Sequence, residues 1–242
     1  MSLRDHLRGI WAIVEKDMRT YYLKPPAVSW GVVFPVAWIL AFYLRNPGDF
    51  VGLLPGLVTM TALFSSTAAE AVVINFELRL GSLERLLLAP IGPGTVFLAK
   101  VLGGAFFGLL MSGTVLLFTI TTMPVSANAR VFPVLFLSLL AFASLGAMLC
   151  ILVREVFEAQ TLLNLPRFVM VFLSGVVYPI SAMPTPLRVL ARFFPLTYSV
   201  EGLQAGLSLS QPNTYSLDLL ALSGFTVAFL LIGMRRFSAR FK

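Results

Sequence analysis

Six apolar runs, each close to the length a helix needs to cross a bilayer, divide this chain: Ala27 to Leu44, Leu53 to Ile74, Val96 to Thr121, Val131 to Val153, Thr161 to Ile180 and Leu217 to Met234. A hydrocarbon core of about 30 Å takes roughly 20 residues of helix. Inside it, a continuous helix is the simplest backbone that satisfies its own hydrogen bonds. The runs therefore predict an all-α polytopic membrane protein with six transmembrane helices. Composition agrees, because 58% of the 242 residues are hydrophobic and 12% charged, with a mean hydropathy of +0.89. A soluble domain of this length has to cover itself with polar groups.

An even number of spans puts both termini on one side, and the basic residues say which. With a cytoplasmic N-terminus that side receives Arg4, Arg8, Lys16, Arg19, Lys24, Arg79, Arg85, Lys100, Arg154, Arg235, Arg236, Arg240 and Lys242, against Arg45, Arg130, Arg188 and Arg192 on the other. This bias predicts a multi-pass protein of the cell membrane with both ends cytoplasmic. Lys and Arg exceed Asp and Glu by 18 to 11, but they flank apolar segments rather than forming a run interleaved with stacking aromatics. The expected partner of that charge is therefore the lipid bilayer and not nucleic acid. The single Cys150 leaves no internal disulfide and sits in an apolar stretch, where packing is its expected role.

The N-terminal segment has no apolar run of signal-peptide length before Lys24. Its periodicity is helical, with Leu3, Leu7, Ile10, Trp11, Val14, Met18, Tyr21 and Tyr22 on one face and Arg4, Asp5, Arg8, Glu15, Lys16 and Arg19 on the other. An interfacial helix is expected, with Ser2 and Asp5 as its capping box, a Glu15–Arg19 pair and a stop at Pro25-Pro26. Between the second and third runs, Ser82 is expected to cap a short amphipathic helix with Glu84 in its first turn, ended by Pro90. Between the fifth and sixth, Leu187 to Phe194 and Thr197 to Leu207 read as two short helices, and Glu201 is expected either to pair with Arg188 or Arg192 or to hold an ordinary interfacial position.

The ionisable residues Glu70 and Arg167 fall inside the predicted spans, where charge is costly. Snorkelling or a structural Glu70–Arg167 pair is preferred to a place on the substrate path. Gly103, Gly104 and Gly108, with Ala105 and Ser112, give small-residue spacing in the third span, for which packing within the chain is the default.

These segments carry a resemblance. Gly81-Ser82-Leu83-Glu84-Arg85-Leu86-Leu87-Leu88-Ala89-Pro90 resembles the G-T-L-E-R-L-L-x-x-P coupling segment of ABC-2 type exporter permeases. Phe194-Pro195-Leu196-Thr197-Tyr198-Ser199-Val200-Glu201-Gly202-Leu203 resembles their P-x-T-Y-x-V-E-G-L stretch, and the basic entry helix resembles their interfacial elbow. Ser82 stands where Thr is common. The resemblance covers essentially the whole chain and implies one transmembrane domain over 1–242: an elbow at 1–25, five spans over 27–180, re-entrant extracytoplasmic helices over 181–215 and a last span at 217–234.

It further implies a permease without its own ATPase site, exporting a hydrophobic or amphipathic substrate such as a drug, a lipid or a lipid-linked glycan. A cytoplasmic ABC ATPase subunit would carry ATP and Mg, and a second permease, an identical chain by preference, would complete the pair. Gly81, Ser82, Leu83, Glu84, Arg85, Leu86 and Leu87 would couple to the ATPase, Glu84 and Arg85 by polar contact. Arg188, Arg192, Tyr198 and Glu201 would belong to an extracytoplasmic gate. Phe168, Phe172, Gly175 and Tyr178 would lie near the dimer seam or the substrate path.

Independently, no G-x-x-x-x-G-K-[ST] phosphate loop occurs in the chain. A rhomboid-type protease is excluded because the sole histidine, His6, is in the N-terminal segment. Zinc and aspartyl membrane proteases are excluded by the absence of H-E-x-x-H and of paired intramembrane Asp. A channel would need a filter or charged ring, which is not evident. An ion-gradient secondary transporter is the surviving alternative, although neither midplane carboxylates nor an inverted repeat is clear.

Overall fold

The computed structural model describes residues 3–45, 50–87, 91–123, 125–153, 155–209 and 214–241, and every regular element among them is helical. The amphipathic N-terminus forms α1 (Leu3–Asp17), then a π turn (Met18–Tyr22). The helical run breaks at Leu23 and Lys24, just ahead of Pro25-Pro26 as expected, and the prolines then open a one-turn α2 (Pro25–Val28), consistent with a proline's fixed φ at a helix start. A second π turn (Ser29–Val33) leads into α3 (Phe34–Arg45). The predicted capping residue Ser2 lies outside the described residues, as does the side chain of Asp5. The Glu15–Arg19 pair forms at 2.7 Å.

Then follow α4 (Phe50–Arg79), α5 (Ser82–Leu87), α6 (Pro93–Thr122), α7 (Val131–Cys150) and α8 (Val156–Leu173). Two short helices, α9 (Thr185–Ala191) and α10 (Pro195–Gly206), precede α11 (Tyr215–Arg240). Four helices, α4, α6, α7 and α11, are long and apolar enough to cross a membrane. The other two predicted spans fall on the π-interrupted path that ends in α3 and on α8. The latter runs from Val156 to Leu173 rather than from Thr161 to Ile180.

The core is built around α4, of whose most apolar window 94% is buried, against 22% for α11. Thirty residues give α4 a length of roughly 45 Å. It contacts α6, α7 and α8, while α11 packs on α7 and α6 at the periphery. An apolar interior leaves hydroxyls no water, so they bond back into their own helices: Thr61 to the Leu57 carbonyl at 2.8 Å, Ser112 to Gly108 at 2.7 Å, Ser138 to Val134 at 2.7 Å.

Small residues bring the backbones together. A Cβ on Gly103 would lie 3.1 Å from the Tyr22 hydroxyl, one on Gly104 would overlap the Glu70 carboxylate, and one on Gly108 would overlap Ser66. The glycines of the third span therefore pack within the chain.

Turns alternate between two ends. At one lie α1, α5 and the last turns of α4, α7 and α11, where the Arg240 guanidinium donates to the carbonyls of Ile151 and Val153, exposed by the end of α7. At the other, α10 folds back onto α7, α11, α4 and α8. A Cβ on Gly202 would sit 2.9 Å from Val134, and Ser199 bonds Ser138 at 2.7 Å.

Candidate functional site at the α5 end of the bundle

The turn from α4 into α5 depends on Gly81, whose φ of +65° lies in the left-handed region that favours glycine. Its amide bonds the Leu78 carbonyl at 3.3 Å, closing α4, and its own carbonyl accepts from Arg85 at 3.3 Å, opening α5. Ser82 does not cap α5 as expected. Its hydroxyl reaches back to the Glu77 carbonyl at 3.4 Å, in the last turn of α4. The predicted stop at Pro90 lies outside the described residues.

Six residues cannot hold a helix in water unaided, so α5 is fixed by one buried anchor. Leu83 is wholly buried in the chain's own core, Leu86 and Leu87 are half-buried against it, and Glu84 and Arg85 are exposed. Leu83 is thus spent on the permease itself, and the polar pair is what α5 presents outward.

Directly behind α5 lies a cluster of four charges that sequence reading missed. Lys100 of α6 is wholly buried, and its ammonium meets Asp17 at 2.8 and 3.1 Å and Glu77 at 2.6 Å. Lys16 pairs with the other Glu77 oxygen and with Asp17 at 3.1 Å. Asp17 and Glu77 are both buried, whereas the Lys16 side chain is 42% exposed. Two cations face two anions, so the cluster is neutral.

Burial pushes the Asp17 carboxyl up against the pull of Lys100. For Lys16 burial lowers the ammonium pKa, but its hydrogen bond to Glu77 and the neighbouring carboxylates outweigh that and raise it. The cluster fastens the end of α1 and the start of α6 to the turn of α4 that carries α5. Tyr22, fully buried and stacked on Phe107 at 5.5 Å, locks the same corner.

The structure does not bring Glu70 and Arg167 together as an ion pair. Both are buried. Arg167 donates to Thr67 at 2.7 Å and Asn164 at 3.1 Å and lies 5.4 Å over the Phe64 ring, while Glu70 faces Gly104 on α6. Arg167→Met should therefore lower folded yield, by about 1–3 kcal/mol of stability for a lost buried donor set, and adding Glu70→Gln should not restore it. Recovery in the double variant, read as monodisperse yield in detergent, would mean the two charges depend on each other after all.

At the far end, Glu201 pairs with Arg192 at 2.5 Å, and the Arg192 guanidinium lies 5.8 Å over Tyr198, whose hydroxyl donates to the Arg192 carbonyl at 2.8 Å. The Glu201 carboxylate holds the Arg192 guanidinium above its usual value. Arg188 joins none of this and donates to the carbonyls of Ser181 and Met183. Phe168 is packed among Phe34, Trp38 and Phe64, whereas Phe172 and Tyr178 are more than half exposed. Gly175 turns the chain after α8 with a φ of +80°.

A family model described as "ABC-2 type transporter" matches residues 8–207. The chain is 26% identical over 210 residues to the "Probable multidrug ABC transporter permease YbhS" of Escherichia coli (strain K12), covering 84% of this chain and 54% of that one. It is 27% identical over 216 residues to the "Inner membrane transport permease YadH" of the same strain, covering 83% and 82% respectively. The chain thus spans about half the length of YbhS.

Proposed function

Because the chain belongs to the ABC-2 type transporter family, we propose that it is the permease subunit of an ATP-driven exporter in which α5 receives the movement of a separate ATPase. ATP and Mg sit on that subunit, and the α5 end of the bundle faces the cytoplasm with both termini. Two copies of this chain complete the pathway. The π-broken path through α3 and the helix α8 act as the first and fifth of six spans, and α9 and α10 form the extracytoplasmic re-entrant segment, where the Arg192–Glu201 pair and Tyr198 close the outer mouth. The cargo is hydrophobic or amphipathic, of the kind exemplified by a drug, a lipid or a lipid-linked glycan. The name of YbhS, a multidrug permease, points the same way.

The observation that carries this reading is the construction of α5: an anchored leucine, two outward charges, and a neutral ion cluster behind them. A push on Glu84 or Arg85 passes through Gly81 to the last turn of α4. From there it reaches α6 and α1 through Lys100 and Asp17, because paired buried charges resist separation.

Cys150 is buried, so a thiol introduced on α5 would be the reactive one. In native membranes Glu84→Cys should form, with a short bifunctional thiol–amine reagent, an adduct containing a P-loop ATPase. Leu83→Cys, facing the core, should give none. A folded Glu84→Cys protein whose adducts never contain an ATPase would favour the ion-gradient transporter instead.

A further inference from the structure

A groove of about 250 Å³ opens on the side of the bundle, lined by none of the residues of α5 or of the charge cluster. Its roof is α1, through Ile10, Trp11 and Val14, and its walls include Ala105 and Leu109 of α6 and Phe136 of α7. Every one of these side chains is apolar or, for Trp11, amphipathic. The walls belong to two helices long and apolar enough to cross a membrane, and Leu109 and Phe136 are exposed there. A groove so placed is open to the bilayer, running from the amphipathic helix at the interface toward the middle of the hydrocarbon.

The roof also carries charge. Arg4 and Arg8 are exposed, and they lie two turns and one turn before Trp11 on the adjoining strip of α1. Trp11 itself is 62% exposed, as expected of an indole at the headgroup level. Among the described residues neither arginine forms an ion pair; Glu15 is held by Arg19, and the side chain of the neighbouring Asp5 lies outside the described residues. The strip of α1 beside the apolar groove thus carries two exposed cations.

We propose that this groove binds one anionic phospholipid of the adjacent leaflet, an acyl chain lying between α6 and α7 under α1 and the phosphate held by Arg4 and Arg8. The apolar walls recognise the chain without regard to headgroup. The two arginines supply the preference for negative charge, several-fold in occupancy over a zwitterionic lipid. The lipid fastens α1 to α6 and α7.

The test uses the full chain with Trp30→Phe and Trp38→Phe, leaving Trp11 as its only tryptophan. Reconstituted in phosphatidylcholine, it is titrated with phosphatidylglycerol or phosphatidylcholine brominated along the acyl chain, and Trp11 quenching is followed. Half-maximal quenching should need several-fold less brominated phosphatidylglycerol. Arg4→Gln with Arg8→Gln should bring the two curves together, and Ala105→Phe or Leu102→Phe, filling the groove, should do so with the arginines intact. Native mass spectrometry of the unaltered protein should retain one phosphatidylglycerol. Superimposable curves in the parent protein would overturn the proposal. So would a preference that survives both filling variants, which would place the lipid on the helix surface and leave the groove to another apolar occupant such as cargo.

Discussion

Lys100→Met should cost about 3–5 kcal/mol of stability, enough to remove most of the folded protein from a detergent extract. The substitution keeps the stem and removes one charge, leaving Asp17 and Glu77 buried with only Lys16 between them. Breaking a buried pair from one side is costly because the remaining charge stays desolvated. Two comparisons separate this from a packing defect. Adding Asp17→Asn leaves the Lys16–Glu77 pair balanced and should return most of the yield. Lys16→Met removes an equal charge, but the side chain is 42% exposed and its partners keep Lys100, so the loss should be no more than about 1 kcal/mol. Thermal unfolding of the four proteins decides the matter. Equal losses for Lys100→Met and Lys16→Met, or no recovery with Asp17→Asn, would mean the cluster does not hold α1, α4 and α6 together.

Apolar run length located α4, α6, α7 and α11, because a helix in lipid has to be both long and uniformly apolar. It placed their ends less well. Reading α4 as finishing at Ile74 treats the charges after it as the membrane boundary, yet the helix runs to Arg79 because Glu77 is matched by Lys100 and Lys16. The same pairing hid Lys100, which counts as a boundary cation in sequence and is wholly buried in the fold. Asp17, Glu77 and Lys100 are remote in the chain, and hydropathy carries no information on which face of a helix meets which neighbour. One signal was available: a lysine beyond the first turn of an apolar helix needs a partner, and acids at the ends of neighbouring elements were the candidates.

Depth without azimuth also misled the reading of Glu70 and Arg167. Three positions along α4 take the chain from Thr67, which meets Arg167, to Glu70, which meets Gly104 on another helix. The π turns that break the path into α3 were equally invisible, since one inserted residue scarcely alters average hydropathy. The outward charges of α5 were legible because amphipathic spacing alone puts Glu84 and Arg85 opposite Leu83. Which leucine the chain keeps for itself was not, because that depends on where the Gly81 turn aims the helix.

The largest functional effect is expected at Glu84 and Arg85. Both are exposed, so replacing them with alanine should change stability by no more than about 0.5 kcal/mol. If α5 is the contact through which ATP hydrolysis drives the permease, the pair supplies charged hydrogen bonds to the partner, and losing both should cost at least a hundredfold in affinity, from about 2–5 kcal/mol per truncated charged contact at an interface. The direct measurement is co-purification of the tagged chain from its native membrane, with bound ATPase activity assayed for the parent and for Glu84→Ala with Arg85→Ala. The account expects a P-loop ATPase with the parent and its loss from an equally well folded variant. A folded parent that brings down no ATPase, or a variant that keeps all of it, would contradict the account.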